Sequence, residues 1–143
     1  MANAVFPKAL EGFLKGAIDL DTAVIKAALV RGYTYDSTDE FMSDVVATGT
    51  INGTSAALSS ISVTNGVFDA ADYTITTTAN ANNHVLIYFQ SSAVTGGADV
   101  ANTSQRVIAY VDTASDSSLP IQPGTGDVAV TLDNGTNKIF KLG

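Results

Sequence analysis

At 143 residues, 45% of them hydrophobic, the chain has the size and the material of one packed domain, and residues 1–143 are expected to form a single β-rich unit. Its 14 acidic and 7 basic residues give a net charge of −7. That balance repels a phosphate backbone and lacks the Lys/Arg excess of helices that lie on anionic membranes, so neither nucleic acid nor a membrane is an expected partner. Cysteine is absent, which excludes disulfides, thiolate chemistry and every Cys-based metal site in this polypeptide.

Pro7 can open a helix, and Leu10, Phe13 and Leu14 follow at i, i+3 and i+4, so a short amphipathic helix is expected over 7–15, ended by Gly16. Residues 1–20 therefore read either as a helix packed on the chain's own core or as an arm that offers Val5 and Phe6 to a neighbour. Lys8, Glu11 and Lys15 interrupt this segment, which lacks the unbroken apolar stretch of a secretory signal and points to synthesis in the cytoplasm. The β-branched, apolar stretch 24–30 reads as a strand buried on at least one face, although Lys-Ala-Ala-Leu within it also favours helix. In "YDSTDEFMSDV", Ser37 or Thr38 can cap a second short helix over 39–44, with acidic residues in its first turn.

Beyond Thr48 the pattern changes to short β-rich runs separated by Asn-Gly, Gly-Gly, Pro-Gly and Asp-Asn-Gly. Strands are expected over 57–63, 67–68, 72–78, 84–90, 105–112, 127–133 and 138–142. "VLIYFQ" and "VIAYVD" are the most continuous apolar runs and should form the centre of the sheet. Asn134-Gly135 suits the type I′ turn of a tight terminal hairpin, whose last strand should complete the sheet. The spacing of short strands and turns gives a mainly β fold class: an antiparallel β-sandwich or barrel-like sheet, with one or two short helices near the N-terminus. The polar stretches 91–104 and 113–126 are the expected contact-making loops.

Catalytic constellations are sparse. His84 is the only histidine, without a Cys or second His to share a transition metal, and no Gly-x-Ser-x-Gly elbow accompanies it. Asp19 with Asp21, and Asp69 with Asp72, have the oxygen chemistry that calcium takes but not the spacing of a calcium loop; turn carboxylates are the favoured reading. No metal or other cofactor is expected, and the chain does not read as an enzyme. Arg106 heads a predicted strand, either as an outward residue or as a bridge to a carboxylate of a neighbouring chain. Tyr33 and Tyr35 could stack on a sugar in a protein that has no Trp.

Four stretches, "FLKGAIDLDTAVIKAALV", "VTNGVFDAADYT", "RVIAYVDTA" and "LPIQPGTGDVAVTLDNGTNKIFKLG", together resemble a family of short virion proteins from the head region of tailed bacteriophages. The resemblance spans most of the chain and is most specific at Leu119, Pro120, Pro123, Gly126 and Asp127, and at Asp133, Asn134, Gly135, Asn137, Ile139, Phe140, Lys141 and Leu142. Leu132 stands where the family tends to carry an aromatic residue, and the loops over 50–60 and 93–102 depart from it.

Such membership implies a structural virion component and supplies no catalytic residues. The expected function is a capsid decoration (cement) protein on the capsid surface, with the major capsid protein or other virion proteins as partners. A homo-oligomer, with a trimer favoured, is the expected assembly, and Val5, Phe6, Tyr33, Tyr35 and Arg106 are the candidate interface residues. A neck or tail structural protein, or a carbohydrate- or receptor-binding module of the virion, is the alternative.

Overall fold

A computed structural model of the chain describes residues 3–133 and 139–142. It is mainly β, as expected, with antiparallel sheets and two short α-helices, in a sandwich-like arrangement.

The principal sheet has five strands: β1 (Ala4–Val5), β2 (Val24–Arg31), β3 (Thr50–Thr54), β7 (His84–Ser92) and β8 (Arg106–Val111), in the order β1-β8-β7-β2-β3. β7 contains the "VLIYFQ" run and is buried along all nine residues. It pairs with β2 from Val24↔Ser92 to Arg31↔His84 on one side and with β8 on the other. The two most apolar runs are therefore neighbours, with β7 at the centre and β8 one place out. A strand flanked and covered in this way needs no polar alternation, which is why its sequence is a continuous apolar run.

Three shorter strands, β4 (Ser62–Thr64), β5 (Val67–Asp69) and β10 (Phe140–Lys141), form a second sheet in the order β10-β5-β4, and β6 (Tyr73–Ile75) pairs with β9 (Val128–Val130). All three sheets contribute to one apolar core, which includes Phe6, Ile25, Ile87 and Ile108 from the large sheet and its approaches, and Phe68, Ile75 and Val128 from the small ones.

Tyr33 and Tyr35 pack on Tyr110 on one face of the large sheet, and Tyr73 meets Tyr88 on the other. Their sheet partners, Tyr110↔Ile87 and Tyr88↔Ala109, are successive pairs. Side chains of successive pairs point to opposite faces, so the helical and loop segments cover one side and β6-β9 the other.

The helix expected over 7–15 is α1 (Pro7–Leu14). Its buried residues, however, are Ala9 and Gly12, while Leu14 is 90% exposed and Leu10 38%. Small residues win this face because the helix lies close to the following chain: a Cβ on Gly12 would sit 2.9 Å from Ile18 Cδ1. The second helix is α2 (Met42–Thr48), three residues later at its start than expected. Asp36, not a helix cap at Ser37 or Thr38, organises the preceding turn by accepting from the Thr38 backbone N–H. Asp44 then accepts from the N–H groups of Glu40 and Phe41 and so starts the helix from inside its first turn.

Two strands escaped the sequence reading, and one was misplaced. β3 carries an Asn-Gly pair that reads as a turn, yet Gly53 is there because a Cβ would meet the Thr76 carbonyl oxygen at 2.6 Å. β1 is only two residues long and pairs Ala4 with Tyr110 and Val5 with Ala109. The run over 57–63 forms strand only from Ser62, because Leu58 turns in to donate its N–H to Ile25 O and Ser60 takes a positive φ of 52°.

The terminal hairpin is not formed as expected. β9 pairs with β6 and β10 with β5, so the runs that flank Asn134-Gly135 belong to different sheets; the turn itself lies outside the described residues. Among the described residues a tight hairpin is formed instead by β4–β5, closed by Asn65 (φ 53°) and Gly66 (φ 76°), the paired positive values of a type I′ turn.

Candidate functional site

The five candidate interface residues do not gather on one exposed patch. Phe6 is fully buried and its ring lies 5.1 Å from that of Tyr35. Its N–H donates to Ile108 O, and Val5, half-buried, pairs with Ala109 in β1. The N-terminal segment therefore adds a short strand to the chain's own sheet, and the fully buried Phe6 has no surface to offer a neighbour. A large apolar residue at the helix N-cap is better satisfied by the adjacent core than by solvent.

Tyr33 and Tyr35 belong to an internal ladder of rings. Tyr35 lies 5.3 Å from Tyr110, and Tyr33 lies 6.1 Å from Tyr110, both tilted. The Tyr33 hydroxyl donates to Asp39 Oδ2 at 2.7 Å and accepts from the Asp36 N–H. Burial, aided by Asp39, pushes the Tyr33 hydroxyl well above the usual tyrosine range. Burial likewise raises the Asp39 carboxyl, whereas hydrogen bonds from Thr38 lower that of Asp36. A sugar platform needs an open ring face. Tyr33 is buried, and only half-buried Tyr35 keeps part of its surface.

Arg106 finds its carboxylate within the chain. Nη1 donates to Glu40 Oε1 at 2.6 Å, and the guanidinium lies 5.1 Å from the centre of the Phe41 ring. The neighbouring-chain bridge considered for it is replaced by this contact, because the antiparallel bridge between Phe41 and Arg106 sets the two segments side by side. Beside it Glu11 accepts from both Lys8 and Lys15, which hold its carboxyl at about 2. Three cations and two carboxylates thus form a seam between α1, β8 and the entry to α2.

Other chemically able side chains are occupied locally. The buried His84 holds its Nδ1 2.7 Å from Asn82 O. A carbonyl only accepts, so the ring proton sits on Nδ1, and Nε2 meets no partner among the described residues. Asp19 caps the N–H of Asp21, and Asp72 accepts from the N–H of Leu132. Lys26 pairs with Asp99 across 2.8 Å and ties the 91–104 loop to β2. The 113–126 loop walls a cavity of about 230 Å³ whose floor is Leu29 and Leu86 and whose rim includes Asp116 and Ser118. Among the described residues no group of three or more His, Cys, Asp or Glu is placed to hold a metal ion, and no helix is long and apolar enough to cross a membrane.

What the sequence reading missed is a group of large apolar side chains left outside, among them Leu14, Val63, Val94 and Val100. For Val63 a signal was present. The Asn65-Gly66 turn fixes the β4–β5 register, Val63 falls opposite Phe68, and among the described residues no further strand follows on its other side.

No family model, no curated protein and no solved structure matches this chain.

Proposed function

We propose that this chain is a structural protein of a tailed-phage virion, most specifically a decoration protein that binds the outer face of a capsid lattice in many copies. What carries the reading is how the chain uses its functional groups. Its aromatic residues pack on one another, and Lys8, Lys15, Lys26 and Arg106 pair with carboxylates of the same chain; only 15% of its residues are charged, and isolated apolar side chains stand on the surface. Such a surface suits many modest interfaces made strong by repetition.

The sequence resemblance adds to this through packing. Phe13 of "FLKG", Phe68 of "VTNGVF" and Phe140 of "IFKL" form one stack, Phe140 lying 6.4 Å from Phe13 and 5.3 Å from Phe68. Three of the stretches that carry the resemblance are thus the stretches that hold the fold together. The glycan-binding alternative is less favoured, because Tyr33 is turned inward.

Counting this chain against the major capsid protein in purified particles tests the proposal. Near-equal numbers are expected for a decoration protein; a few copies per particle would move it to the neck or tail, and none would reject a virion role.

A further inference from the structure

We infer that the outer edge of β4 is a self-pairing edge, which joins antiparallel to β4 of a second copy about a two-fold axis at Val63. In a hairpin closed by two residues, the pair that flanks the turn, here Thr64↔Val67, exchanges both backbone hydrogen bonds, and every second pair does so again. Thr64 and Ser62 therefore direct their N–H and C=O groups at β5, while those of Val63 point the other way. On the far side of β5 the alternation is visible directly: Ile139 donates to Phe68 O and Leu142 to Gly66 O, so β10 takes that edge. Among the described residues nothing takes the edge of β4, whose three residues are all exposed, Val63 at 47%.

The large sheet shows how this chain closes an edge when it does so. Beyond β3 the Asn52 amide donates to Thr78 O, Thr78 Oγ1 donates back to Asn52 Oδ1, and Gly53 lets the Thr76 carbonyl come close. Among the described residues β4 has no such cover. Nor does the stretch "ISVTNG" carry the charge or proline with which exposed edges are normally blunted.

Charge selects the occupant. Two copies that each carry −7 repel least where they meet on neutral ground, and residues 45–68 contain no Asp, Glu, Lys or Arg. Antiparallel pairing at Val63 sets Val63 opposite Val63 and Ser62 opposite Thr64, a β-branched pair and two hydroxyl pairs with no like charges opposed. A strand paired with its own copy is self-complementary, as a two-fold contact requires. So short a strand buries far less than the roughly 1,200–2,000 Å² of a stable complex, so the contact is weak between free molecules and gains where copies are held close. It does not depend on the virion reading.

The cysteine-free chain allows a direct test. In the intact protein, Val63→Cys places two thiols about 5.5 Å apart between Cα atoms, inside the range a disulfide accepts, so mild oxidation is expected to link it roughly tenfold faster than Leu14→Cys. Ser62→Cys alone sets its thiols about 8 Å apart and should link slowly, whereas a mixture of Ser62→Cys and Thr64→Cys should link readily. Val63→Pro removes the outward N–H without breaking a bond to β5, and should abolish self-association in sedimentation equilibrium while leaving the thermal transition in place.

Equal linking rates at positions 14, 62 and 63 would overturn the proposal, as would a folded Val63→Pro protein that still associates. Either result leaves the particle count above unaffected, so the two ideas fail separately.

Discussion

β7 and β4 are strands of one chain under opposite conditions. β7 is nine residues long, paired on both sides and buried throughout; β4 is three residues long, paired on one side and exposed throughout. The first is held by its own sequence, since a continuous apolar run gains by burial wherever it lies. The second is held by its turn and by Phe68 opposite it, so its stability is borrowed from β5. A short strand in this molecule is as stable as the residue its partner buries.

Replacing that residue should have the largest effect. Phe68→Ala is expected to cost about 3–5 kcal/mol and Ile87→Ala in β7 about 2–5 kcal/mol, measured by urea unfolding. If Phe68→Ala costs under about 1 kcal/mol, the small sheets do not lean on it and the contrast fails.

High pH probes both faces of the large sheet next. Burial pushes the hydroxyls of Tyr88 and Tyr110 up to about 12. Unfolded tyrosines ionise near pH 10, so between about pH 10 and 12 the unfolded chain releases protons that the folded chain keeps, and stability falls as pH rises. Tyr88 alone should account for roughly 2–3 kcal/mol across that window, with stability level below it. An unfolding midpoint unchanged between pH 9 and 11 would contradict this.

Asp44→Ala removes the acceptor for two N–H groups at the start of α2 and should cost about 1 kcal/mol, whereas Asp44→Asn should retain part of it. The smallest effect belongs to the exposed edge: Val63→Ala should change the stability of the monomer by less than about 0.5 kcal/mol. A larger loss would mean that β4 carries its own weight.

The same contrast explains what could be read from the sequence. β2, β7, β8 and α1 were legible because each has enough residues for a period or an apolar run to show. β3 was not, because its Asn52-Gly53 pair has the composition of a turn and only the approach of Thr76 reveals why glycine is needed. α2 moved because its start is set by Asp44 from within the helix, not by a hydroxyl ahead of it. The partners of β9 and β10 were illegible for a different reason: adjacency along the chain favours a hairpin, and only Phe68 and Phe140 meeting across the sequence decides against one. Among the interface candidates, Phe6, Tyr33 and Arg106 have partners within the chain, at Tyr35, Asp39 and Glu40. Residue type shows that an aromatic or a cation needs a partner; it does not show on which molecule that partner lies.

The stack of Phe13, Phe68 and Phe140 also bears on the order of events at synthesis. Its members come from the start, the middle and the far end of the sequence, so it cannot close until residue 140 has left the ribosome. Until then Phe68 lacks the ring that packs beside it, and the nascent chain carries its hairpin as unfinished apolar surface. Such long-range closure is slow and exposes aggregation-prone intermediates. During that interval, the stretch free of charges over 45–68 is where a crowded translation site would put the chain most at risk.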